Sequence, residues 1–142
     1  MNETISELRV RYAETDQMGV VYHTNYLVWC EIGRTDFIRN AGRTYAELER
    51  DGVRLAVSDA TIRFHASARY DDPIAIHTRL VDLRSRAMRF AYRVFNADSR
   101  RLLASASTTL ISIDDNARLV RLPDFVRDAL HGTLGTEFEH AT

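Results

Sequence analysis

The chain has 142 residues, 45% of them hydrophobic and 27% charged, with a net charge of −1; this is enough to bury one substantial core and too little for two domains. No apolar run approaches the roughly 20 residues needed to cross a bilayer, and the acidic, polar start MNETISELRV is unlike a secretory leader, so a cytoplasmic protein is expected. All 19 basic residues are arginine, which excludes a lysine Schiff base, and the near-neutral balance gives no general attraction for nucleic acid.

In chain order, ISELRVRY sets Ile5, Leu8, Val10 and Tyr12 against Ser6, Arg9 and Arg11, the pattern of a half-buried strand. It ends at the turn-like Ala13-Glu14-Thr15-Asp16. From Asn25 the spacing changes: Tyr26, Trp29, Cys30, Gly33, Phe37 and Ala41 recur at three and four residues, while Glu31, Arg34, Asp36 and Arg39 fall elsewhere. This predicts an amphipathic helix with Thr24 or Asn25 as its cap and Gly42 as its stop. Thr44 to Arg50 reads as a second, short helix.

After Gly52 the pattern is mostly strand: VRLAVSDATIRFHAS, IAIHTRLVDLR, MRFAYRVFNA and RLLASASTTLISI. Tyr70-Asp71-Asp72-Pro73, Arg84-Ser85-Arg86, Asn96-Ala97-Asp98-Ser99 and Asp114-Asp115-Asn116 separate them with turn chemistry. A last helix is expected in PDFVRDALHG, followed by a frayed polar tail over residues 135–142. The whole predicts one α+β domain, residues 1–142, in which four strands in antiparallel meander and an N-terminal strand wrap around one long helix. Its exposed sheet edge calls for a second copy of the chain.

TDQMGVVYHTNY, Thr15 to Tyr26, carries the candidate chemistry. Asp16 follows a strand and His23 precedes the helix, so the segment between them is a strand-to-helix crossing. Gly19 permits positive φ or a close approach by a ligand, and the helix start offers unpaired N–H groups backed by the positive end of the dipole. A polarised carbonyl oxygen would be held there as anions are, with Val20 and Val21 keeping water away. By themselves these residues also allow a plainer account, in which Asp16 is a turn or cap residue, His23 a helix-start or core histidine, and Tyr12 core.

Tyr12-Ala-Glu-Thr-Asp16-Gln-Met-Gly19-Val-Val-Tyr-His23-Thr-Asn25-Tyr26, followed by Trp29-Cys-Glu31 and Arg34, resembles the signature of hotdog-fold acyl-CoA thioesterases. The branch it is most similar to holds 4-hydroxybenzoyl-CoA thioesterase and the thioesterases associated with Tol–Pal gene clusters, and the similarity extends over nearly the whole chain. The resemblance implies a sheet around one long helix, homodimers that often pair into tetramers, sites at subunit interfaces, an acyl-CoA substrate, and neither metal nor cofactor. It implies Asp16 as nucleophile or general base, the His23 N–H as donor to the thioester carbonyl, and side-chain roles for Tyr12 and His23. Gly19, Val20, Tyr22, Asn25 and Glu31 are then expected at the substrate. Expulsion of a thiolate, whose conjugate acid has a pKa of about 8.5 if it behaves like cysteine, needs no strong general acid.

Other residues are weighed beside these. Glu31 and Arg34, three apart on a helix, read by default as a surface pair. Cys30 on the apolar side reads as a buried small hydrophobe, and a single cysteine excludes an internal disulfide and a cysteine metal cage. Arg84, Arg86 and Arg89 cluster at a strand junction, where Arg86 could hold CoA phosphates. His23, His65, His77 and Asp16 lack the spacing of a metal site, and no Gly-x-Ser-x-Gly or phosphate-loop pattern occurs. Trp29, Phe64, Met18 and Ile62 could line an acyl pocket or be core. The alternatives to a thioesterase are a noncatalytic acyl-CoA or acyl-carrier-protein binding module and a hydratase or dehydratase on the same fold.

Overall fold

The strand periodicity is realised as a five-stranded antiparallel sheet in the computed structural model, which describes residues 2–42 and 45–139. The elements run β1 (Thr4–Arg9), a 3₁₀ turn (Tyr12–Glu14), α1 (Asn25–Asn40), α2 (Tyr45–Arg50), β2 (Arg54–Phe64), β3 (Pro73–Leu83), β4 (Ala87–Asn96), β5 (Leu102–Ile113) and α3 (Asp124–His131). Thr44, expected in the second helix, lies outside the described residues.

The spatial order is β1-β3-β4-β5-β2. β3, β4 and β5 form a meander, but β2 does not join it next to β3 as expected; it lies on the far edge against β5, with Arg54 opposite Ile113 and Phe64 opposite Ala104. Two facts account for the correction. The free edge of β3 is occupied by β1, from Thr4 opposite Thr78 to Arg9 opposite Pro73. The connection from Phe64 to Pro73 is also no hairpin, because its backbone bonds elsewhere: Val21 N–H to Ala68 O at 2.9 Å, Val10 N–H to Asp72 O at 3.0 Å and Asp71 N–H to Val10 O at 3.0 Å. It crosses the end of the sheet beneath the strand-to-helix crossing.

α1 buries Tyr26, Trp29, Cys30, Gly33, Arg34, Phe37 and Ile38 along one face. Opposite it stand the inward-facing residues of the sheet, Ile74, Ile76 and Leu80 on β3 and Met88, Phe90, Tyr92 and Val94 on β4, all buried in the same cluster. Each fully buried large side chain contributes about 1.5–3 kcal/mol. The helix sits so deep that a Cβ at Gly33 would overlap Thr78 Oγ1 and reach within 3.0 Å of Ile76 Cγ2. Gly42, at φ +97°, ends the helix region as expected.

Two local expectations change. Thr24 precedes the helix but caps nothing with its side chain; turn bonds from Asn25 N–H to Tyr22 O and from Tyr26 N–H to His23 O serve the first amides instead. Arg34 is not a surface partner of Glu31: it is 7% exposed, and its Nη1 donates to the Tyr92 hydroxyl at 3.1 Å. Four residues after Cys30, it shares the helix face that meets the sheet.

The tail is not loose up to Phe138. Gly135 N–H donates to Leu80 O at 2.9 Å, Arg79 Nη1 donates to Thr136 O at 3.2 Å, and Glu137 pairs with Arg89. The Phe138 ring lies under Arg79 at 4.1 Å and Arg93 at 5.0 Å, on the sheet face opposite α1. Residues 140–142 of the expected frayed tail lie outside the described residues.

Candidate active site

Residues 15–21 form a miniature hairpin that presents Asp16. Thr15 and Val21 bridge antiparallel, Asp16 N–H donates to Val20 O at 2.9 Å, and Gly19 N–H donates to Asp16 O at 3.0 Å. The reversal needs positive φ at its last position, which Gly19 supplies at +78°. Met18 N–H donates to Asp16 Oδ1 at 2.8 Å, the side chain closing an Asx turn. Asp16 Oδ2 has no hydrogen-bond partner among the described residues.

Two anchors hold the hairpin. Val21 N–H reaches Ala68 O beyond β2, and Tyr22 N–H donates to Glu14 O at 2.8 Å. Glu14 is itself buried, 4% exposed, with Oε1 accepting from Arg11 N–H at 2.8 Å and Oε2 from Trp29 Nε1–H at 2.9 Å. Asn25 Nδ2 adds a bond to Glu14 O at 3.0 Å. The crossing is thus tied to the strand before it and the helix after it.

At the start of α1 the N–H groups of His23 and Thr24 donate to no group among the described residues. They are the donors a helix leaves unpaired, and the helix dipole stands behind them. An open cavity of about 380 Å³ is lined by Asp16, Val20, Val21, Tyr22, His23, Tyr26, Phe64, His65, Ala66 and Ser67. His23 is edge-on to Phe64 at 6.3 Å and 4.5 Å from the Tyr22 ring. The Tyr26 hydroxyl accepts from Ala68 N–H at 3.0 Å, and burial pushes its phenol up, against the effect of that bond, so it stays protonated. Asp16, with a carboxylate oxygen, and His23, with an amide, both unpaired among the described residues, therefore line one open space.

The structure brings Asp16, Val20, Tyr22 and His23 together, with Gly19 at the tip of the same hairpin. Asn25 does not face the cavity through its side chain, which holds Glu14. Tyr12 is 77% exposed in the 3₁₀ turn and meets Tyr70 edge-on at 5.6 Å, away from the cavity. Glu31 is exposed along α1. Arg86 sits in the β3–β4 turn, its carbonyl bonded to Ser112 N–H, whereas the cavity adjoins Ala104, the partner of Phe64. At strand rise that separates them by on the order of 25 Å within one chain.

The expected water-tight setting is only partly present: Val21 is buried, yet Met18 is 82%, Tyr22 48% and Phe64 46% exposed around an open mouth. Of the proposed acyl-pocket residues, Phe64 lines the cavity and Trp29 is core. His65, Ser67 and Tyr26 join it unannounced by sequence. His65 Nε2 lies 3.0 Å from Ser105 Oγ. Among the described residues no group of three or more His, Cys, Asp or Glu side chains is placed to hold a metal ion.

A five-stranded antiparallel sheet around a deep helix is the hotdog fold, and the chain belongs to the thioesterase-like superfamily, which it matches over residues 10–130. Among relatives, it is 38% identical over 114 residues to YneP of Bacillus subtilis, covering 80% of this chain and 82% of that one. To the acyl-CoA thioester hydrolase YbgC of Escherichia coli it is 33% identical over 116 residues, 80% of this chain and 86% of the other. The crystal structure of a DHNA-CoA thioesterase from Staphylococcus aureus superposes with a TM-score of 0.86 at 34% identity, over 94% of this chain and 89% of that one.

Proposed function

We propose that this protein is an acyl-CoA thioesterase in which the Asp16 carboxylate attacks the thioester, or activates water to do so, while the His23 N–H at the start of α1 holds the carbonyl oxygen. What supports it is that Asp16, with a carboxylate oxygen left free by its own Asx turn, and His23, whose N–H is unpaired among the described residues, line one cavity. Family membership and the activity for which YbgC is named support the same chemistry.

The reaction balances with one carboxylate. Acyl-CoA and water give a carboxylic acid and the CoA thiol: the C–S bond breaks, its electron pair leaves on sulfur, and the water supplies hydroxyl to carbon and a proton to the thiolate. By the nucleophilic route Asp16 Oδ2 forms a mixed anhydride that water then opens; by the general-base route Asp16 takes the proton from that water. Either way negative charge grows on the carbonyl oxygen, where preorganised amides contribute most. Val20, Tyr22 and Phe64 provide the wall for the acyl group.

We further infer a cytoplasmic homo-oligomer. The outer edge of β2 and the exposed Met18, Tyr22 and Phe64 at the mouth are surfaces that a second copy would cover, closing the cavity against water.

Thiol release from short, long and aromatic acyl-CoAs, followed with a disulfide reagent, tests the activity, and buried Cys30 adds little background. Asp16→Ala and Asp16→Asn should each lower turnover at least about a hundredfold with fold and oligomer intact. No release from any acyl group, or near-normal turnover in Asp16→Ala, would defeat the assignment.

A further inference from the structure

We propose that Glu14 is a positioning residue for Asp16: its buried carboxylate clamps the two sides of the strand-to-helix crossing, so that Asp16 Oδ2 and the His23 N–H face the same point. The inference rests on the reading of Asp16 above.

A carboxylate taken to 4% exposure costs several kcal/mol unless both oxygens are engaged. Both are, and their donors come from separate elements. Arg11 N–H, at the head of the crossing, binds Oε1 at 2.8 Å; Trp29 Nε1–H, in the second turn of α1, binds Oε2 at 2.9 Å. The Arg11 guanidinium adds charge at 3.7 Å. The carbonyl of the same residue collects Tyr22 N–H at 2.8 Å and Asn25 Nδ2–H at 3.0 Å, where the crossing returns. One residue therefore fixes the outgoing limb two positions before Asp16 and the incoming limb one position before His23.

The chemistry of the clamp separates positioning from filling. Both donors point at acceptors, so the site needs a group that accepts at two oxygens. A carboxylate does this. The amide of glutamine offers one acceptor and one donor, and must set an N–H against another N–H. Relief of that opposition turns the limb carrying Asp16 while leaving side-chain volume nearly unchanged. A displacement of about 1 Å at reacting groups can cost on the order of a hundredfold in rate.

The full-length protein is assayed as wild type, Glu14→Gln, Trp29→Phe, Asp16→Asn and Glu14→Gln/Asp16→Asn, with an acyl-CoA the wild type hydrolyses. Circular dichroism and urea denaturation report the folded fraction at the assay temperature. Glu14→Gln is expected to lower kcat by about ten- to a hundredfold with KM changed less than about threefold, and to add nothing to the residual rate of Asp16→Asn. Trp29→Phe, which deletes one donor and keeps an aromatic ring in the core, should lower kcat selectively by a smaller factor. Wild-type kcat in folded Glu14→Gln overturns the proposal, as does an equal loss in both Asp16 backgrounds. Should Glu14→Gln not fold, wild-type kcat in Trp29→Phe overturns it alone. Full activity in Asp16→Asn is a distinct failure, removing the Asp16 reading and the proposal with it.

Discussion

In the proposed reaction Asp16 and His23 serve through different parts of themselves, one by a side-chain oxygen and the other by a main-chain N–H. The His23 ring is exposed and, among the described residues, pairs with the rings of Tyr22 and Phe64, so its removal should matter little: His23→Ala is expected to keep kcat within about tenfold of wild type, where Asp16→Ala loses at least about a hundredfold. Equal losses in steady-state assays would shift the role to the imidazole. The sequence made Asp16 and His23 candidates: Gly19 and two valines stand between them ahead of a helix start, a pattern that also allowed a turn or cap reading, and the resemblance to hotdog-fold thioesterases favoured the chemical one. Glu14 was not among the candidates, since a glutamate in a turn normally reads as solvated and its partner Trp29 is fifteen residues away. Arg34 could have been read, because four residues after a buried cysteine is the same helix face, yet its charge suggested the surface.

At the scale of elements, α1 is the part most exactly seated, and Gly33 is the reason. Gly33→Ala should destabilise by about 2 kcal/mol in urea denaturation, since the added methyl meets Thr78 Oγ1 in a packed core. The same burial has an alkaline signature. Burial pushes the Cys30 thiol up from its ordinary 9.0 to about 12, and the Tyr92 phenol from 10.0 to about 12, against the opposing charge of Arg34. For both acids the folded state keeps its proton longer than the unfolded chain does. Their contribution is whole below about pH 9 and is lost as pH rises toward about 12. Denaturation midpoints measured from pH 8 to pH 11 should fall over that range, with a shallower fall in Cys30→Ala. Strand and helix identities were readable from periods of two and 3.6; the face β1 buries was not, since Ser6 is 4% and Ile5 54% exposed, and neither was the place of β2, because alternation says nothing about which neighbour a strand takes.

Across the whole molecule, the face of the sheet away from α1 is organised by the tail. Phe138 between Arg79 and Arg93 is a double cation–π contact, each worth about 0.5–1 kcal/mol. Phe138→Ala should lower stability by about 1 kcal/mol and leave kcat unchanged, as measured by denaturation and by thiol release. Nothing in the polarity of HGTLGTEFEH announces such docking, and the tail was expected to fray because the arginines that receive it lie on strands forty and more residues earlier. An exposed sheet edge calling for a second copy was expected, but not that β2 would supply it; with the proposed oligomer, light scattering should report a multiple of the 16.3 kDa chain.

The single bond from Val21 N–H to Ala68 O joins the Asp16 hairpin to the chain just past β2. Whatever steadies that border strand steadies the carboxylate too, and whatever releases it lets the carboxylate wander. If, as proposed, a second copy covers that strand, diluting the enzyme until the copies part should switch it off at saturating substrate, and specific activity plotted against protein concentration should trace the same curve as molar mass.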